Sequence, residues 1–243
     1  MRITASLSLL EPLPDDTQTC VVAIDVLRAS TTIATAVCNG CLEVVPVATI
    51  EEARCVADSR PGVLLCGERG GRRIEGFDLG NSPYEYSRQV VQGRTLVLTT
   101  TNGTVLLSRY SRFERLVGCF RNLQTVVRVL LDQFGERDVH LASAGEVKKP
   151  GLEDIACAGA IVSALKSCSK DSVECDDAAL VALAVWESMG RNPAKALFES
   201  NHGKYLCNLG LQADVEYCSV IGNLPVPYMP AGAMTIRGVS GRC

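Results

Sequence analysis

Carboxylates, hydroxyls and arginines gather where the apolar runs of this sequence stop. Asp25 follows Val21-Val22-Ala23-Ile24, Glu68 ends VLLCGE, Thr100 and Asn102 follow TLVLT, and Ser143 follows the run from Val139 to Ala142. A carboxylate in such a place offers oxygen to a hard cation or takes a proton. Arg28 stands between Asp25 and a hydroxyl-rich helix start, Ser30-Thr31-Thr32. Free N–H groups and the helix dipole suit an anion such as phosphate there. The loop Glu68-Arg69-Gly70-Gly71-Arg72-Arg73 sets three arginines around two glycines. Arginine grips oxyanions bidentately, and glycine lets the backbone approach as well. Thr100-Thr101-Asn102-Gly103-Thr104 is a turn with two threonines ahead of a helix. Glu153 and Asp154 occupy the first turn of another helix, and Asn201-His202-Gly203-Lys204 holds one of only two histidines. Each feature also has a plainer reading: a solvated turn, an exposed hairpin tip, a helix cap, or an acid complementing a helix dipole.

The elements that must position these residues alternate. An edge strand runs from Arg2 to Leu7. Val21 to Ile24 reads as a strand buried on both faces, followed by a helix capped by Ser30 and closed at Asn39-Gly40. Strands follow at Leu42–Val47, from Gly62 to Glu68, at Thr95–Thr99, Arg115–Cys119 and Val139–Ala142. Helices are expected from the Thr49/Glu52 capping box to Asp58, from Ser82-Pro83, from about Val105, from Asn122 to Phe134, and from Leu152 to about Leu165. The strand signal then stops. Asp176-Asp177 cap an apolar helix, AALVALAVW, which reads as buried. Short helices near 193–209 and 213–219 precede a final strand within Pro225–Ala233. This order predicts one α/β domain over residues 1–243 with a helix-rich part from about 170. The architecture is three-layer α/β/α, with a largely parallel or mixed central sheet. Ligands bind beyond the carboxyl ends of such strands, so all the tips named above are expected on one sheet edge.

The chain has 243 residues, 47% of them apolar, and a net charge of −3. That balance speaks against a nucleic-acid partner. No run approaches the roughly 18 apolar residues of a membrane span, and the N-terminus is a poor signal peptide. Of the 12 cysteines, only Cys38 and Cys41 form a C-x-x-C, with no second pair to complete a zinc site. They read as reduced thiols of a cytoplasmic protein. No Walker-type phosphate loop exists, and Leu27 breaks a D-x-D pattern at Asp25. Cys66 to Arg72 does match C-x5-R, the loop of cysteine-dependent phosphatases, so Cys66 is a rival nucleophile. That loop normally continues into a helix, and here none starts before Ser82.

With these stretches in hand, the chain resembles the 2-phosphosulfolactate phosphatase family of coenzyme M biosynthesis. The matching segments are VVAIDVLRASTTIATA, GERGGRRIEGFDLGNSP, TTTNGT, LEDIACAGA and SNHGKYLCNLG, in the family's order. The resemblance implies a Mg²⁺-dependent phosphatase that hydrolyses (2R)-phospho-3-sulfolactate to sulfolactate and phosphate. Its catalytic candidates are Asp25, Arg28, Glu68 and Arg69. Its substrate candidates are Ser30, Thr31, Arg72, Asn81, Ser82, Thr100, Thr101, Asn102, Gly103, Thr104 and His202. Asp25, Glu68, Glu153 and Asp154 are the acids available to Mg²⁺. A substrate with phosphate, sulfonate and carboxylate on three carbons needs several anion sites close together, which agrees with the clustering of arginines and hydroxyls. A non-catalytic binder of such a metabolite is the competing reading, and carboxylates beside an anion favour the enzyme. The oligomeric state is left open, with a homo-oligomer allowed.

Overall fold

The structure, a computed structural model, describes residues 1–146, 149–169 and 172–238. Strand β2 (Cys20–Ile24) is apolar and buried at every position, and its side chains alternate between two cores. Cys20, Val22 and Ile24 join one core, Val21 and Ala23 the other. It lies inside a seven-stranded sheet. The order is β11 (Arg237–Gly238), β10 (Pro227–Met229), β7 (Glu114–Gly118), β2, β8 (Val139–Ser143), β1 (Arg2–Ser6) and β9 (Glu174–Cys175). Strands β7, β2, β8, β1 and β9 are parallel, with Val22 opposite both Leu116 and Leu141. Strand β10, inside the tail expected to return a strand, pairs antiparallel with β7.

Helices cover both faces, which makes the three-layer α/β/α arrangement. On one side α5 (Leu123–Gln133) and α6 (Leu152–Cys168) share a core with Cys20, Val22, Ile24 and Leu141. On the other, α1 (Ala29–Cys38) and α4 (Gly103–Arg109) pack against β7 and β2 respectively. Helix α1 is built mainly of Ala, Ser and Thr, with Ile33 reaching into the core, and is buried from Ala29 to Ala36. Small side chains let it lie that deep, and its hydroxyls satisfy themselves on nearby carbonyls, as Thr31 Oγ1 does on Val26 O.

The strand tips do not share one sheet. A second sheet, in the order β3 (Glu43–Pro46), β6 (Thr95–Thr99), β4 (Leu64–Arg69) and β5 (Arg72–Arg73), lies beyond α1 and α4. Helix α2 (Ile50–Ser59) covers its far face through Ala53. The two sheets meet at one antiparallel bridge, Val44 with Ile236. Apolar periodicity marks a strand but not its neighbour, so one sheet and two read alike in sequence.

Other expectations need correction. Helix α1 begins at Ala29 with Arg28 at the N-cap position, so Ser30 lies inside the helix. Its hydroxyl instead accepts from the Asp25 N–H and donates to Ala23 O, tying the helix back to the strand. Ser82 opens only a 3₁₀ turn, Pro83–Glu85, before the short α3 (Arg88–Val91). The buried Tyr86 interrupts it, with its hydroxyl donating to Gly80 O. Strand β1 is not the edge, because the two-residue β9 pairs outside it. Helix α7 (Asp177–Ser188) buries only the stripe Ala179, Ala182 and Trp186, and leaves Leu180 and Val181 45% and 48% exposed. Helices α8 (Pro193–Glu199), α9 (Asn201–Asn208) and α10 (Gln212–Cys218) complete the helical C-terminal part.

Candidate active site

Four strand ends from the two sheets converge on one cavity of about 270 Å³. Asp25 follows β2, Glu68 lies near the end of β4, Thr100, Thr101 and Asn102 follow β6, and Glu146 follows β8. Arg28, Asn81, Gly70 and Gly71 close one wall, and His202 and Tyr205 of α9 close another.

Local bonding explains how these residues are held. Asp25 Oδ1 accepts from the Ala29 N–H at 3.3 Å, and the Ser30 N–H donates to Asp25 O at 2.8 Å. Asp25 Oδ2 points at Gly103, where a Cβ would lie 2.7 Å from it and 2.5 Å from Ala29 Cβ. Only glycine lets α4 come this near. Glu68 clasps two loops: Oε1 accepts from Thr101 N–H and Oγ1 at 2.8 and 2.9 Å, and Oε2 accepts from Gly71 N–H at 2.8 Å. Gly71 turns the β4–β5 hairpin with φ +74°, a conformation that favours glycine. Arg28, next to a cis Leu27–Arg28 peptide, is 4% exposed. Its Nη1 pairs with Asp214 Oδ2 at 2.6 Å and its Nη2 donates to Gly71 O at 2.7 Å. The Tyr205 hydroxyl donates to Gly70 O at 3.0 Å, docking α9 on the same hairpin.

The cavity is short of positive charge. Burial, with the neighbouring charges of Glu68 and Glu153, pushes the Asp25 carboxyl up to about 7, although the Ala29 N–H and Arg28 oppose this. Burial likewise raises Glu153 and raises Asp154 well above the ordinary range, with Glu153 and Asp25 adding to the second shift. Such crowding of carboxylates is relieved by a cation. Among the described residues no three His, Cys, Asp or Glu side chains are placed together to hold a metal. Mg²⁺ is typically held by one or two carboxylates, waters and a substrate phosphate. Asp25 and Glu68, hard oxygen donors on one cavity, fit that demand. Asp154 does not line the cavity, and its oxygens accept from Val26 N–H and Gly145 N–H at 2.8 and 2.9 Å. Glu153 is buried behind the wall beside His202.

Of the residues picked out in the sequence, Asp25, Arg28, Glu68, Asn81, Thr100, Thr101, Asn102 and His202 line the cavity. Asn81 Oδ1 is buried without a hydrogen-bond partner. Arg69 turns away, donating to Glu68 O, Ala48 O and Thr99 Oγ1. Arg72 is exposed in β5 and, with Ser82, borders a neighbouring recess instead. The Ser82 hydroxyl donates to Asp214 Oδ1 at 2.6 Å. Ser30 and Thr31 are engaged behind the cavity, donating to Ala23 O and Val26 O, and Thr104 is bonded back to Thr100. The rival nucleophile fails on geometry: Cys66 is fully buried in the core, and burial pushes its thiol up to about 12. Cys38, Cys55 and Cys168 are exposed, every cysteine among the described residues is free, and Cys243 lies outside them. Glu146, Tyr205 and Asp214 were not anticipated. Glu146 repeats the strand-end pattern three residues after Ser143, and Tyr205 lies three residues after His202. Asp214, in the first turn of a polar helix, carries no signal of its own.

An α/β enzyme with a polar, small-molecule cleft at its strand ends is what this fold and site define. A family model described as 2-phosphosulpholactate phosphatase matches residues 8–229. A protein of Thermotoga petrophila named probable 2-phosphosulfolactate phosphatase is 42% identical over 206 residues, covering 85% of this chain and 86% of its own. Proteins of the same name from Carboxydothermus hydrogenoformans and Deinococcus radiodurans are 41% and 39% identical, covering 89% and 88% of this chain and 88% and 91% of theirs. The chain belongs to the 2-phosphosulpholactate phosphatase family of phosphoric monoester hydrolases. No helix among the described residues is long and apolar enough to cross a membrane.

Proposed function

We propose that this chain is a Mg²⁺-dependent phosphatase of the cytoplasm. It hydrolyses (2R)-phospho-3-sulfolactate to (2R)-3-sulfolactate and phosphate, the reaction type of coenzyme M biosynthesis. The observation that carries this reading is the convergence of Asp25, Glu68, Arg28 and the Thr100–Asn102 turn on one cavity. Asp25 and Glu68 would hold the cation, which when bound supplies Lewis-acid polarisation of the phosphoryl group. Arg28 has five N–H donors, and its bonds to Asp214 and Gly71 use two of them. The remaining donors orient an oxyanion of the substrate. Asn81 also lines the cavity, and its buried Oδ1, which has no hydrogen-bond partner, is a place for one more donor such as a water. Tyr205 and His202 limit the space beside the ester.

The test is release of inorganic phosphate from this substrate. EDTA should abolish it, added Mg²⁺ should restore it, and Cys66→Ser should leave it largely intact. Activity that survives EDTA and dies with Cys66 would move the reaction to the cysteine. Binding without any turnover would return the chain to the non-catalytic reading.

A further inference from the structure

Arg28 is the cation that faces the cavity from the β2–α1 loop, and its guanidinium is not held by its own loop. Asp214, on α10, is 3% exposed and meets Arg28 Nη1 at 2.6 Å. Its other oxygen accepts from the Ser82 hydroxyl at 2.6 Å. One carboxylate thus joins the helical C-terminal part, the Asn81-Ser82 turn and the β2–α1 loop. With Gly71 O on Nη2, it fixes the guanidinium at two of its three nitrogens. A planar fork fixed in this way keeps its free N–H groups aimed at one place, which a mobile arginine does not. Asp214 does not line the cavity, and its side chain is hydrogen-bonded to Arg28, which does, and to Ser82, which does not.

We propose that Asp214 is a positioning residue of the active site. It acts on turnover through Arg28, by holding the guanidinium where an oxyanion of the phosphoester is gripped in the transition state. The inference rests on the phosphatase reading, and it predicts dependence of one residue on the other. Removing one partner leaves a buried unpaired charge, whereas removing both does not. A double-mutant cycle of Asp214→Ala and Arg28→Ala therefore reads the coupling directly.

In the presence of Arg28, Asp214→Ala should lower kcat by about tenfold or more with a smaller change in KM, because the lost hold matters most in the transition state. In the Arg28→Ala background the same change should cost less than about twofold. Asp214→Asn, which keeps an acceptor for Ser82, should fall between, and it replaces Asp214→Ala in the cycle if the alanine variant does not fold. A merely structural carboxylate would cost the same factor in both backgrounds, and that result overturns the proposal. The cycle is repeated on calorimetric binding of inorganic phosphate with Mg²⁺ present. Coupling seen in phosphate binding while the wild type shows no turnover would overturn the phosphatase reading and the effect on turnover with it, and would reduce Asp214 to holding Arg28 for anion binding. Additive effects in both assays, or no phosphate binding to wild type, would remove the role itself.

Discussion

Asp25 is placed where its charge is costly. It is 8% exposed, burial and two neighbouring carboxylates oppose its ionisation, and Gly103 leaves its Oδ2 open. Replacement by Asn keeps the size and an oxygen for the Ala29 N–H but removes the charge that a cation would need. Turnover should fall by roughly two orders of magnitude or more, about 3 kcal/mol of barrier. The melting temperature should hold or rise, since a buried repulsion is relieved. Kinetics and thermal unfolding on one preparation check both, and near-normal kcat would sink the placement of the site. This residue was legible in the sequence because a lone acid directly after a buried strand is a visible break in pattern, and Glu68 and Thr100 were legible in the same way. Arg69 misled because sequence shows a charge but not its direction, and its guanidinium folds back onto backbone carbonyls. Asp214 was hidden because an acid in the first turn of a helix is already explained by the helix dipole.

At the scale of elements, the contact between α1 and α4 sets the depth of the cleft. A methyl group at position 103 would meet both Ala29 Cβ and Asp25 Oδ2. Gly103→Ala should lower the melting temperature by overpacking, at a cost of about 1–3 kcal/mol, and lower kcat as well. Adding Ala29→Gly removes the first clash but not the second. The double variant should therefore recover only part of the stability while staying slow, as unfolding curves and steady-state rates would report. Recovery of both together would show that Asp25 is not crowded. Helix α7 teaches why element existence reads more easily than burial. Its capping acid and apolar run locate it correctly, yet Ala179, Ala182 and Trp186 suffice to pack it, and Leu180 and Val181 face out. A helix with apolar residues on most sides does not say which side is covered.

Across the whole molecule, stability is tied to groups far from the cleft. His140 is 4% exposed and hydrogen-bonded to Thr4, Tyr110 and Ser6, and burial lowers it to about 4. The unfolded chain takes up this proton near pH 6.5 and the folded one only near 4, so stability is lost as pH falls between those values, by about 3 kcal/mol in full. Melting temperatures from pH 7 to 5 should drop more steeply for wild type than for His140→Gln, and equal slopes would refute the assignment. The pairing of strands into two sheets was the largest part of the fold that sequence left open, because the Val44–Ile236 bridge joins distant segments with no local mark. Both that bridge and the Arg28–Asp214 pair, 186 residues apart, recruit the end of the chain to hold its beginning. Contacts of such long range form late. A ribosome that has emitted the first 200 residues has delivered every acid of the cleft but neither of these two ties. The acids of the cleft are therefore made well before the contacts that hold Arg28 and join the two sheets.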